Sequence, residues 1–126
     1  MKVRHATKAL LDLDSIAGWI QKDSTRAALR FLESAEETAN QIADFPELGA
    51  PVELSDPELK GLRHCLISGF KRYVLFYRIV GEDIVIMRVL HGHRDLSIAL
   101  KEAAETEYWI ELLRETEYLD QTRTLL

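Results

Sequence analysis

Apolar side chains recur every three or four residues from about Thr7 to Lys22, where Leu10, Leu13, Ile16, Ala17 and Ile20 form one stripe and Asp12, Ser15 and Gln21 lie outside it. That spacing matches the 3.6-residue turn, so it predicts an amphipathic helix with one face covered. A second stripe, Ala28, Phe31, Leu32, Ala35, Ala39 and Ile42, predicts another helix from about Thr25 to Asp44, with Asp23 and Ser24 offering side-chain oxygens to cap it. Only a few residues separate the two, which implies an antiparallel hairpin. Ahead of them, Lys2 to His5 centres on the β-branched Val3 and predicts a brief strand.

The run Phe45-Pro46-Glu47-Leu48-Gly49-Ala50-Pro51 ends the hairpin. Proline removes a backbone donor and disfavours helix in the residue before it, so a loop to about Lys60 is expected. Beyond Gly61 the period changes. Leu62 to Ile67, Tyr73 to Val80 and Ile84 to Leu90 are rich in branched and aromatic residues and are separated by Ser68-Gly69 and Gly81-Glu82-Asp83. Three strands in an antiparallel meander follow. The second and third are apolar at nearly every position, which predicts that both faces are covered, one by the helix pair. From Leu96 a helical pattern resumes, with Leu100, Ala104, Tyr108, Leu112 and Leu119 on one stripe and Ala103, Ile110 and Leu113 beside it.

At 126 residues, 47% of them hydrophobic and 29% charged, the chain suits a single α+β domain with one core. No apolar run approaches a membrane span, and Met1-Lys2-Val3-Arg4-His5 has no apolar signal core behind it, so a cytoplasmic location without membrane contact is expected. The single cysteine, Cys65, cannot form a disulfide within the chain and reads as a packing residue.

The net charge of −5 is unevenly spread. Residues 1–59 hold 6 Lys and Arg against 11 Asp and Glu, residues 60–95 hold 7 against 3, and residues 96–126 hold 3 against 7. A basic centre between acidic flanks suits an acidic partner. The cations and imidazoles concerned are Lys60, Arg63, His64, Lys71, Arg72, Arg78, Arg88, His91, His93 and Arg94. Arg78 and Arg88 sit among apolar strand neighbours and read as structural, pairing with carboxylates such as Asp95. Arg63, Lys71, Arg72, His91 and Arg94 lie near strand ends or turns and are the candidate partner contacts.

Other chemistry finds little support. The glycines fit neither a dinucleotide-binding nor a P-loop spacing, so no nucleotide cofactor is expected. His64, His91 and His93 could be drawn as a metal site, but Arg94 beside them would repel a cation, and no metal is expected. Ser68, His91 and Asp95 make a triad only in the way that any chain of this length offers one.

Several stretches together resemble the RelE/ParE toxin family: Leu11-Asp12-Leu13-Asp14-Ser15-Ile16, Phe45-Pro46-Glu47-Leu48-Gly49, Leu62-Arg63, Tyr73-Val74-Leu75-Phe76-Tyr77-Arg78-Ile79 and Arg88-Val89-Leu90-His91-Gly92-His93-Arg94-Asp95. The likeness spans residues 1–100 in order. It implies a RelE/ParE-like fold, with the helix hairpin packed on an antiparallel-rich meander, and the toxin half of a type II toxin-antitoxin pair neutralised by a cognate antitoxin.

The family's branches differ in target. One cleaves messenger RNA on the ribosome, and in it a basic pair, a strand arginine, a terminal arginine and a tyrosine stabilise phosphate and move protons. The matching positions here are His64 and Leu66, Val74, Arg94 and Leu100, so only the terminal arginine is clearly kept. Loss of proton transfer and of charge stabilisation removes the main supports of phosphodiester cleavage. The resemblance therefore favours the ParE-like branch, which binds DNA gyrase and arrests growth without itself being an enzyme. Alternatives are a ribosome-dependent endoribonuclease using Arg94 with His91 or His93, and an inactive binding module.

Residues 101–126 form an acidic C-terminal extension, expected to be helical, that departs from ParE-like chains. The segment 98–119 resembles one helix of the four-helix-bundle proteins encoded in ribosomal RNA intervening sequences. It either packs on its own domain or offers Tyr108, Trp109, Ile110, Leu112 and Leu113 as a surface for self-association into a homo-oligomer or for antitoxin binding.

Overall fold

The computed structural model describes residues 1–52 and 61–92. In chain order they form β1 (Lys2–His5), α1 (Thr7–Gln21), α2 (Thr25–Asp44), β2 (Ala50–Pro51), β3 (Arg63–Ile67), β4 (Phe70–Val80) and β5 (Asp83–His91). The five strands make one sheet in the order β1-β5-β4-β3-β2. β1 runs parallel to β5 and every other neighbour is antiparallel. This is the expected α+β architecture, two helices on a mostly antiparallel sheet.

Local chemistry accounts for the joints. Ser24 caps α2 by accepting the Ala27 N–H at 3.1 Å. The β4–β5 turn holds two residues between Val80 and Asp83, and its first, Gly81, has φ 62°, a region that only glycine enters cheaply. Thr38 of α2, buried, donates from Oγ1 to Ser34 O at 2.7 Å and accepts the Ser68 N–H at 3.2 Å, which pins the β3–β4 turn to the helix.

The hydrophobic core lies between the helices and one sheet face. Ala9, Ile16, Phe31, Ala35, Ala39 and Ile42 meet Ile67, Tyr73, Leu75, Tyr77, Ile84, Ile86 and Val89 in one cluster. Phe31 sits at its centre, with ring centroids 5.4 Å from Phe70 and 5.2 Å from Tyr73, both edge-on. Alternation along the strands sends Val74, Phe76, Val85, Met87 and Leu90 to the other face. These too are buried, so both faces of the sheet are covered as their composition predicted.

Two expectations need correction. The stripe of α1 is rotated: Ala9 is fully buried and Asp12 has a side chain only 15% exposed, whereas Leu10 is 51% exposed. The cause is an edge. β1 ends at His5, paired with Ile86, but β5 runs on to His91 and leaves backbone donors without a neighbouring strand. Asp12 supplies the missing acceptor, taking the Val89 N–H at 3.0 Å together with Arg88 Nε at 2.7 Å and Nη2 at 3.0 Å. Arg88 is structural, as expected, and among the described residues it pairs with the carboxylate of Asp12; Asp95 lies outside them. The second correction concerns the loop after α2. Ala50 and Pro51 pair with His64 and Arg63, a position at the sheet edge that tolerates proline.

Candidate partner-binding site

β4 opens directly after the Ser68-Gly69 turn, and Gly69, Phe70, Lys71, Arg72 and Tyr73 line an open cavity of about 430 Å³. Phe70 turns toward the core while Lys71 and Arg72 are exposed. The end of β5 returns to the same place: the Gly92 N–H donates to Arg72 O at 2.7 Å, and the His91 ring meets Tyr73 edge-on at 5.2 Å. Lys71, Arg72 and His91 thus gather at one end of the sheet. The arrangement offers cationic donors beside aromatic surface, chemistry that suits carboxylates carried on an amphipathic segment.

Arg63 does not join them. It begins β3 opposite Tyr77, and its Nη1 donates to Gly49 O at 2.6 Å and points toward Glu47 O at 3.5 Å. Tyr77 completes the clasp. Its hydroxyl donates to Pro46 O at 2.7 Å and accepts the Gly49 N–H at 2.9 Å. Burial raises the pKa of this phenol, which keeps it a donor at neutral pH. Gly49 is tied so closely that a Cβ would stand 2.7 Å from both His64 O and the Tyr77 ring. Tyr77, Gly49 and Asp12 position the sheet's surroundings without having been singled out in the sequence, although each lies inside a stretch that carried the family resemblance.

Arg94, the fifth candidate contact, lies outside the described residues, as do His93, Leu100 and the tail positions Tyr108, Trp109, Ile110, Leu112 and Leu113. The remaining positions matched to the nuclease branch do come together. Leu66 pairs with Val74 and His64 with Phe76, with ring centroids of the latter pair 6.1 Å apart, on the sheet face away from the helices. Cys65, between them on β3, has its thiol pushed up to about 11 by burial and stays protonated at neutral pH. Among the described residues no three metal-capable side chains cluster, and no helix is long and apolar enough to cross a membrane.

The family profile described as the ParE toxin of the type II toxin-antitoxin system, parDE, matches residues 3–96. The chain belongs to the ParE toxin family. Among curated proteins it is 29% identical over 93 residues to the toxin candidate Y4kP of Sinorhizobium fredii, covering 74% of this chain and 90% of that one. Among solved structures it is similar to a chain of the chromosomal ParDE system of P. aeruginosa, with a TM-score of 0.58, 22% identity, and coverage of 72% of this chain and 95% of the other. A ParE toxin implies a cognate antitoxin as its partner. The family match ends at residue 96.

Proposed function

We propose that this ParE-family toxin arrests growth by binding DNA gyrase, and that its antitoxin holds it through the basic end of the sheet formed by Lys71, Arg72 and His91, with Arg94 following in the chain. The observation that carries the binding reading is the cross-strand pair Leu66 and Val74 beside Phe76. Where a cleaving relative would place a basic residue and an arginine, positions 66 and 74 carry hydrocarbon side chains. Side chains of that kind bury surface; they neither transfer a proton nor stabilise a developing negative charge.

Gyrase supercoiling measured beside translation-dependent mRNA cleavage tests the proposal. Purified toxin should block supercoiling and leave transcripts on translating ribosomes intact. Cleavage of those transcripts, lost on Arg94→Ala, would establish the nuclease reading in its place, and silence in both assays would point to an inactive binding module.

A further inference from the structure

We propose that the sheet face turned away from α1 and α2 is the seat of the chain's own C-terminal segment, residues 96–113, which leads into the acidic extension, bound within the same molecule. Val74 is 7% exposed, Phe76 3%, Val85 1%, Met87 0% and Leu90 5%. Both described helices pack on the opposite face, in the cluster that contains Tyr73, Leu75 and Tyr77, and none of these five belongs to that cluster. Side chains this large reach such burial only against other atoms, so the face has an occupant.

Chain order, length, polarity and charge select the extension. It leaves from the end of β5, the strand that carries Val85, Met87 and Leu90, whereas residues 53–60 leave from β2 at the far edge of the sheet. As a helix, residues 96–113 would extend about 27 Å. Five strands are roughly 19 Å across, so one such helix crosses the whole face. Its stripe of Leu100, Ala104, Tyr108 and Leu112 supplies the apolar complement. The apolar pair Val74 and Phe76 is bracketed on the same face of β4 by Arg72 and Arg78, and the extension brings Glu102, Glu105, Glu107 and Glu111. Residues 96–126 carry a net −4 against +4 for residues 60–95. The extension is thereby an intramolecular ligand of the sheet, and any partner that needs this face must displace it. The proposal does not depend on which macromolecule the toxin targets.

Full-length protein with p-benzoylphenylalanine in place of Tyr108, a close match in shape, tests the contact by photo-cross-linking and peptide mapping. Cross-links within one chain to Val74, Phe76, Met87 or Leu90 are expected. Cross-links to α1 or α2, to residues 53–60 alone, or between two chains would overturn the proposal, as would none at all. Independently, Leu100→Glu with Leu112→Glu should expose the face, raising the fluorescence of a hydrophobic dye severalfold and lowering Tm by roughly 5 °C or more while the far-ultraviolet signature of the sheet persists. Unchanged dye binding and Tm would count against it. If the charged pair unfolds the protein, the cross-link pattern decides.

Discussion

Tyr77 and Cys65 occupy neighbouring strands, yet the sheet makes very different use of their polar atoms. The Tyr77 hydroxyl accepts the N–H of buried Gly49 and donates to the Pro46 carbonyl, so Tyr77→Phe strips two backbone groups at once. A loss of about 1–3 kcal/mol is expected in urea unfolding, with the loop around Gly49 exchanging its amides faster. A change within error in both would show that the loop is held by Arg63 alone. Cys65 makes no such bond among the described residues. Its thiol is raised to about 11 by desolvation, above its ordinary value of 9.0, so the folded state disfavours the thiolate. The sign follows: the contribution of this group to stability is complete below pH 9 and is lost as pH climbs toward 11. Alkylation by iodoacetamide at pH 8 should therefore be far slower in native than in denatured protein. Equal rates would contradict a desolvated thiol.

At the scale of elements, the helices are placed by devices that lie outside the apolar stripes. α2 starts at a serine whose oxygen takes the Ala27 N–H. Ser24→Ala should cost about 1 kcal/mol, whereas Ser24→Asp, which restores an acceptor, should return most of it. Parallel urea titrations of the two variants check this, and equal losses would assign the effect to something other than the cap. α1 is placed by Asp12, which finishes the edge of β5 where β1 stops. Helical periodicity alone puts Asp12 on the water side, because a carboxylate cannot join an apolar stripe unless a strand edge and an arginine await it. The register that creates this need involves residues 76 positions apart. The two-residue strand Ala50–Pro51 was hidden for a related reason: proline and a small side chain carry no strand signal, and the pairing is supplied by β3.

At the scale of the molecule, part of the basic central segment lies at one end of the sheet. Exposed Lys71 and Arg72 precede Tyr73, on which the His91 ring packs, while Arg63 is drawn away to the loop carbonyls. Arg72→Glu combined with Arg94→Glu should weaken antitoxin binding more than tenfold at low salt, and the difference should shrink as ionic strength rises. Arg63→Lys should leave antitoxin affinity nearly unchanged and lower stability, since its guanidinium serves the fold. Isothermal titration beside thermal melts separates the two effects. An affinity indifferent to the paired reversal would remove this end of the sheet from the antitoxin site.

Periodicity determined the elements that depend on nearest neighbours: the two helices, the three meander strands, their turns, and the coverage of both sheet faces. These follow from local spacing, because burying an amphipathic stripe or an alternating strand is the dominant gain wherever the segment ends up. The ordered motifs likewise sufficed to point to the ParE family. Tertiary structure decided the rest: which residue of α1 turns inward, where a prolyl dipeptide finds a strand to pair with, and that Arg63 is consumed holding a loop. Those outcomes rest on satisfying backbone donors and acceptors left over at edges and bends. A leftover group exists only once distant segments have been brought together, so no pattern along the chain can announce it.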